Sequence, residues 1–227
     1  MGYTPDVLTD ATAELTVALL FATSRRLIEA NKDVHTGGWR DWAPFYMTGY
    51  SLRNATVGIV GFGRIGQEVA KRIVPFKPKK ILYTTRSSRS AEGDKIGAER
   101  VPLEEVLSTS DFVILLCALT PETKHLINSK TLATMKPNAI LVNCSRGPVI
   151  EQKDLYEALK NNVIGAAGLD VTTPEPLPTD SPLLTLSNCV VLPHIGSADI
   201  ATRTEMSCVT SINIVAALKD QEMVYEI

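Results

Sequence analysis

The sequence contains little cysteine, and its four cysteines lie far apart. Cys117, Cys144, Cys189 and Cys208 show no C-x-x-C spacing. Three of them fall in apolar, strand-like runs and one in a helical stretch, so we expect buried free thiols in a reducing compartment rather than disulfides or a zinc site. Histidine is also scarce, and no clustering of His, Asp and Glu suggests a catalytic metal.

Long apolar runs and a strong charge of one sign are missing too. No stretch approaches the roughly 20 apolar residues that a membrane-spanning helix needs, and the N-terminus lacks the pattern of a secretory signal. The formal net charge of −2 gives no reason to expect nucleic acid or an anionic membrane surface as a partner. We therefore expect an ordinary globular protein of the cytoplasm.

A glycine-rich turn joins an apolar strand to a helix near the middle of the first half. The β-branched run at 57–60 predicts a buried strand, and the helical spacing of apolar residues predicts a helix at 64–75. Between them, Gly61 would make the tight turn, Gly63 would let a pyrophosphate approach the backbone, and Gly66 would let the helix pack on the strand. This order predicts a dinucleotide site with the pyrophosphate at the positive end of the helix.

The rest of the chain alternates strands with helices. We predict strands at 57–60, 80–84, 112–117, 139–144, 165–170 and 189–192. Further helices are predicted at 102–109, 129–135, 151–161 and 201–219, and a long first helix from Thr9 or Asp10 towards Gly37. This pattern indicates an α/β fold with a Rossmann-type doubly wound parallel sheet. The first helix precedes the first strand, so we expect its apolar side to pack on a neighbouring lobe or another subunit.

Aromatic residues gather in one loop, between Trp39 and Tyr50. Such clustering is typical of contact surfaces, and a loop packed against its own domain is the alternative.

The end of the second strand predicts which dinucleotide is bound. NAD sites place an acidic residue there for the ribose hydroxyls, whereas this strand ends in Thr84-Thr85-Arg86-Ser87-Ser88-Arg89. Two arginines and small hydroxyls suit a 2′-phosphate, so we predict a preference for NADPH over NAD(H). A solvated basic loop is the alternative.

Polar residues follow three later strands in succession. Arg146 follows the strand at 139–144, Asp170 and Glu175 follow the next, and His194 follows the last. Because ligands of open α/β sheets bind at the carboxyl ends of the strands, we expect these side chains to share one rim.

These motifs resemble those of the D-2-hydroxyacid dehydrogenases, and among them most closely the animal glyoxylate/hydroxypyruvate reductases. The matching stretches cover nearly the whole chain in order: 57–66, 119–128, 143–147, 168–178 and 192–197. The resemblance implies reduction of a small 2-oxo acid to a D-2-hydroxy acid by hydride transfer. Arg146 would clamp the substrate carboxylate, His194 would be the general acid, and Glu175 would fix the tautomer of His194 and favour its protonated form.

The resemblance also implies a set of coenzyme contacts. Asp170 and Gly196 match positions at the nicotinamide end, and the loop at 119–121 matches the wall beside the adenosine. The full predicted set is Gly61, Gly63, Arg64, Ile65, Gly66, Thr84, Arg86, Ser87, Arg89, Leu119, Thr120, Pro121, Cys144, Ser145, Asp170 and Gly196.

Members of this family have two lobes, and the amino-terminal lobe has no counterpart in the sequence. We predict an NAD(P)-binding domain at 1–200, with a dimerisation-type helix and loop at about 10–50. The helix and tail at 201–227 would return to the absent lobe. We therefore expect a homodimer that binds NADPH but reduces substrate poorly or not at all, because the substrate is held from one side only.

Two other interpretations stay open. One is a dinucleotide-sensing interaction module, like the transcriptional corepressors that resemble this family. The other is a different dehydrogenase of the family, acting on formate, phosphoglycerate or lactate. Glutamate at position 175 argues against the formate type, and the Arg86/Arg89 loop argues against a strict NAD enzyme.

Overall fold

A seven-stranded parallel sheet forms the centre of the protein, in a computed structural model that describes residues 4, 6–86 and 90–225. The strands are β1 (Thr56–Val60), β2 (Lys80–Thr84), β3 (Glu99–Arg100), β4 (Phe112–Leu115), β5 (Ile140–Asn143), β6 (Ala166–Leu169) and β7 (Cys189–Val191). The helices are α1 (Thr9–Ser24), α2 (Leu27–Thr36), α3 (Arg64–Ile73), α4 (Ala91–Lys95), α5 (Leu103–Thr109), α6 (Ser129–Leu132), α7 (Gln152–Lys160) and α8 (Ile200–Leu218).

The strand order confirms the predicted doubly wound α/β fold. The sheet runs β3-β2-β1-β4-β5-β6-β7, so the order reverses between β1 and β4. Successive side chains of β4 enter two different apolar clusters, Phe112 and Ile114 in one, Val113 and Leu115 in the other. The sheet is therefore buried on both faces, which explains why its strands read as continuous apolar runs.

The six predicted strands are present, and one short strand was not predicted. That strand is β3, which pairs with β2 through Leu82 and Glu99. Its two residues are charged and exposed, so no apolar pattern marks it. The short helix α4 also escaped prediction, since it covers little more than one turn.

The long first helix is in fact two helices, contrary to the prediction. It breaks at Arg26, which takes a left-handed conformation with φ of 54°. The expectation that its apolar side packs on another lobe or subunit is also wrong for α1. Leu19 and Leu20 of α1 are buried, and the helix packs on α3 and on β5, β6 and β7 of its own domain.

The C-terminal helix α8 lies largely in solvent. Its buried residues are Thr202, Asn213 and Ala216, and the Asn213 amide holds the backbone of Val224 and Tyr225. The division of the chain at residues 200 and 201 stays a prediction. Among the described residues, no helix is both long and apolar enough to cross a membrane.

Candidate functional site

The glycine turn between β1 and α3 has the close contacts that its sequence predicted. Gly61 has a φ of 97°, and a Cβ there would lie 2.5 Å from the backbone nitrogen of Cys117. A Cβ on Gly66 would collide with the carbonyl oxygen of Gly61, whereas one on Gly63 would meet nothing within 4 Å. Gly61 and Gly66 thus serve the fold, and Gly63 leaves bare backbone facing open space at the amino end of α3.

A cavity of about 820 Å³ opens over this turn, and we name it the glycine-turn cavity. It lies at the carboxyl ends of β1, β2 and β4, where the strand order reverses. One wall is the turn itself, the second is the end of β2, and the third is the segment after β4. This is the position at which doubly wound sheets bind dinucleotides, and its volume fits an elongated organic ligand.

The end of β2 brings Thr84 and Arg86 to the cavity. The positive charge of Arg86 acts to lower the pKa values of two groups after β4, Glu122 and Cys117. The pKa of Glu122 is lowered mainly by a hydrogen bond from Thr120, and the charge of Arg86 adds to this effect. The pKa of the Cys117 thiol is raised by burial and lowered slightly by Arg86. Ser87 and Arg89, also predicted as phosphate contacts, lie outside the described residues.

The wall after β4 differs in detail from the predicted loop at 119–121. Residues 116–118, Glu122, Thr123 and Leu126 line the cavity. Thr123 shapes this wall, because its hydroxyl donates to the Ala118 carbonyl and accepts from the Thr120 N–H, both at 2.7 Å. Phe62 and Leu103 line the cavity as well, and nothing in their residue type could have indicated it.

The carboxyl ends of β5, β6 and β7 form the second part of the site, which we call the rim. His194 follows β7 and Glu175 follows β6, and the two side chains meet with Nδ1 and Oε2 2.8 Å apart. A second cavity, of about 520 Å³, lies against this pair and is lined largely by apolar side chains such as Leu177 and Leu184. Sequence reasoning missed these leucines, because they resemble ordinary core residues.

Glu175 is held on both oxygens. Its Oε1 accepts the backbone N–H of Thr172 at 2.9 Å, and its Oε2 faces His194. Burial raises the pKa of Glu175, but the hydrogen bonds from His194 and Thr172 and the charges of His194 and Arg146 outweigh it, so the pKa is lowered. The carboxylate is therefore ionised at neutral pH, and Arg146 is close enough to contribute.

Asp170 holds the backbone on which His194 stands. Its two carboxylate oxygens accept the N–H groups of Ile195 and Gly196, each at 2.8 Å, and its carbonyl accepts the N–H of His194. His194 itself adopts a left-handed conformation with φ of 54°, which these bonds maintain. The side chain of Asp170 is buried, so its pKa is raised by burial, partly offset by the same two N–H groups.

The turn carrying Arg146 is built on a buried asparagine. The Asn143 side chain donates to the Arg146 carbonyl at 3.1 Å and accepts from the N–H and hydroxyl of Ser145. Arg146 is exposed, and its guanidinium bonds the Ser145 carbonyl at 2.7 Å. Next to it, Gly147 touches the backbone of Thr172 so closely that no side chain would fit. The Arg146 turn and the Glu175 turn are thereby packed together.

Several predicted coenzyme residues have side chains that are buried or already paired within the domain. Cys144 and Ser145 are buried, and burial raises the pKa of the Cys144 thiol to about 12. Ile65 packs into the core, and Arg64 forms an ion pair with Asp6 at 2.6 Å.

The structure contains free cysteines, and its described residues include no candidate metal site. All four cysteines are free, although Cys208 is exposed rather than buried. In the described part of the chain, no group of three or more His, Cys, Asp and Glu side chains could hold a metal ion.

Comparison with known proteins places this geometry in context. Residues 17–196 match the family model described as D-isomer specific 2-hydroxyacid dehydrogenase, NAD binding domain. The mouse protein named glyoxylate reductase/hydroxypyruvate reductase is 52% identical over 227 residues, which is all of this chain and 69% of that protein.

Solved structures give the same picture. The TT0316 protein from Thermus thermophilus superposes with a TM-score of 0.92 at 43% identity, over 99% of this chain and 70% of that one. An NADPH-dependent glyoxylate/hydroxypyruvate reductase from Sinorhizobium meliloti, solved with NADP and malonate, superposes with a TM-score of 0.88 at 33% identity. It is matched over 100% of this chain and 69% of its own.

Proposed function

The chain belongs to the D-isomer specific 2-hydroxyacid dehydrogenase family, and we propose that it binds NADPH and reduces small 2-oxo acids such as glyoxylate and hydroxypyruvate. The observation that carries this proposal is the His194–Glu175 pair, 2.8 Å apart, at the rim that also bears Arg146. The interaction-module interpretation is not favoured, because this pair is intact and the similar proteins are reductases.

The glycine-turn cavity fits a nicotinamide dinucleotide. Gly63 leaves room for a pyrophosphate at the amino end of α3, where no side chain caps the helix, and N–H groups there would hold it. Arg86 and Thr84 would hold the adenosine side, with Ser87 and Arg89 following in sequence. Because β2 ends without an acid, we infer that the adenosine carries a 2′-phosphate, and hence that NADPH is preferred to NADH.

The chemistry of the rim follows from its charges. When bound, the reduced nicotinamide supplies a hydride to the carbonyl carbon of the substrate. The Arg146 guanidinium would hold the substrate carboxylate through paired N–H groups. His194 would give a proton from Nε2 to the carbonyl oxygen, while its Nδ1–H remains hydrogen-bonded to Glu175. Asp170 would keep the imidazole in place through the backbone of residues 194–196.

The partner that we propose is a second copy of this chain. Trp42 and Phe45 are 84% and 87% exposed in the loop after α2, and Leu27 and Ile28 of α2 are exposed as well. An apolar, aromatic surface of this kind is typical of a subunit interface. We propose a homodimer formed through α2 and the loop at 38–50, with a tryptophan reaching the partner's cleft.

A single-turnover reaction tests the proposed function. We expect slow reduction, since Arg146 and His194 are exposed at an open rim. The protein, in slight molar excess over NADPH, would be mixed with the coenzyme, glyoxylate would be added, and the absorbance of the reduced nicotinamide would be followed. His194→Gln and Arg146→Gln should abolish the slow decay without affecting NADPH binding. Decay at the same rate in both variants would refute the assigned chemistry.

A further inference from the structure

Gln152, at the start of α7, contacts the loop that carries Glu175. Its side-chain Oε1 accepts a hydrogen bond from the backbone N–H of Thr173 at 3.0 Å. The side chain is partly buried, and it joins an element that follows the Arg146 turn to the turn after β6. This contact bridges two segments that meet only in the folded protein.

The loop that Gln152 holds is the one that aims Glu175. Inside the loop, Thr172 donates its N–H to Glu175 Oε1 at 2.9 Å and its hydroxyl to the Pro174 carbonyl at 2.9 Å. These bonds give the turn its shape but do not fix it to a neighbouring element. Gln152 does so from outside, next to the close contact between Gly147 and Thr172.

A simple role as a helix cap does not explain Gln152. The cap of α7 is Glu151, whose side chain accepts the N–H of Lys153. The Gln152 acceptor is therefore free to serve the Thr173 N–H instead.

We propose that Gln152 is a positioning residue for the proton-donating pair. By holding the Thr173 N–H, it keeps Glu175 Oε2 against His194 Nδ1, so that the neutral imidazole carries its proton on Nδ1 and presents Nε2 to the substrate side. This inference rests on the proposed function, in which His194 donates from Nε2. It adds a residue that acts through Glu175 and touches neither substrate nor coenzyme.

The tautomer of His194 gives the direct readout. The chain has three histidines, so ¹⁵N spectra of the imidazoles can be assigned with a His194→Gln variant. The spectra would be recorded at a pH above which the ¹⁵N shifts no longer change, so that only the two neutral tautomers are compared. Gln152→Met keeps the length of the side chain but removes the acceptor. Losing one hydrogen bond should lower the ratio of Nδ1–H to Nε2–H by about five-fold.

Three further variants make the result decisive. Gln152→Glu keeps an acceptor and should retain the wild-type ratio, whereas Gln152→Ser is too short to reach and should behave like Gln152→Met. Asn161→Ala removes an amide from the other end of α7 and should change nothing. An unchanged ratio in both Gln152→Met and Gln152→Ser would overturn the inference.

The glutamate variant separates this inference from the proposed function. Glu175→Ala should abolish the preference for Nδ1–H. If it does so while the Gln152 variants have no effect, only the role of Gln152 fails. If Glu175→Ala itself leaves the tautomer unchanged, the His194–Glu175 pair of the proposed function fails, and the inference fails with it.

Discussion

Asp170 and Glu175 lie five positions apart in sequence, yet the folded protein shifts their pKa values in opposite directions. Burial dominates for Asp170 and raises its pKa, although two backbone N–H groups oppose it. For Glu175, the hydrogen bonds and nearby positive charges exceed the effect of burial, so its pKa is lowered. The difference suits their roles, since Asp170 supports the backbone and Glu175 supplies charge to His194.

In the Glu175→Gln variant, the free energy of unfolding should vary less with pH in the acidic range than it does in the wild type. A carboxyl whose pKa is lowered on folding stabilises the native state above its ordinary value of 4.5, and this stabilisation is lost as the pH falls through the folded pKa. The wild type should therefore be more stable than Glu175→Gln at neutral pH, and the gap should close below pH 4.5. Urea unfolding at several pH values measures it, with Glu205→Gln on α8 as the control for losing one carboxylate. A gap that does not vary with pH would contradict the prediction.

Arg86→Ala should weaken NADPH binding about ten-fold and leave NADH binding within about two-fold, because one charge-assisted contact to a phosphate is lost. Fluorescence titration of both coenzymes measures the effect. Arg53→Ala removes another exposed arginine, away from the glycine-turn cavity, and should alter neither affinity. Equal weakening of both coenzymes by Arg86→Ala would show that Arg86 does not read the 2′-phosphate.

The packing of two elements, α1 and the glycine turn, explains which of their residues the fold requires. α1 carries a buried stripe that includes Leu19 and Leu20, and it crosses the face of the sheet. Leu19 packs where Gly168 of β6 leaves room for it. The glycine turn combines two glycines that the packing requires with one that it does not. Substitutions in α1 therefore test the core, and substitutions in the glycine turn separate folding from coenzyme binding.

Leu19→Ala should destabilise the domain by about 2–5 kcal/mol, because it leaves a cavity at a site that is 1% exposed. Leu218→Ala in α8, at a site that is 81% exposed, should change the free energy of unfolding by less than about 0.5 kcal/mol. Urea unfolding of the two variants measures both. Equal effects would mean that α1 is not part of this core.

Gly63→Ala and Gly61→Ala should separate coenzyme binding from folding. Gly63→Ala should leave the free energy of unfolding within about 0.5 kcal/mol of the wild type, since its Cβ meets no protein atom within 4 Å. The same Cβ should weaken both coenzymes by about ten-fold or more, because it would stand where the pyrophosphate approaches. Gly61→Ala should destabilise the domain, as its φ is 97°. Thermal melts and coenzyme titrations distinguish the two, and full coenzyme affinity in Gly63→Ala would contradict the assignment.

The molecule exposes functional or aromatic side chains on two surfaces. The rim leaves Arg146 and His194 exposed, and the loop after α2 exposes an aromatic surface. The chain spans 69% of the length of the mouse relative. We attribute the expected slow turnover to this open rim, because water competes there for every charge.

Replacing Trp42 and Phe45 together with alanine should dissociate the proposed dimer. Truncating two aromatic anchors that the proposed interface would bury should raise the dimer dissociation constant by at least about 30-fold. The matched control is Ile200→Ala with Leu218→Ala, which removes comparable apolar surface from α8. Sedimentation equilibrium of the three proteins measures the effect. A wild-type chain that is monomeric at high concentration would exclude this interface.

The local patterns of the sequence were enough to predict the fold class and the region of the site. Gly61, Gly63 and Gly66 are spaced for one kind of turn, and short β-branched runs between helical patterns leave few arrangements other than a parallel sheet. Arg146, Glu175 and His194 could be chosen because each follows a predicted strand, and such strands end at one edge. Local conformational preference and burial pattern determined these features.

The pairing of side chains that support one another depends on the folded arrangement. Gln152 meets Thr173, Asp170 takes the N–H groups of residues 195 and 196, and α1 packs on its own sheet. No segment carries a signal for these contacts, because each depends on the register and twist that bring distant residues within hydrogen-bond range. The free energy of a contact of this kind exists only once both partners are in place, so it leaves no periodic mark on either stretch of sequence.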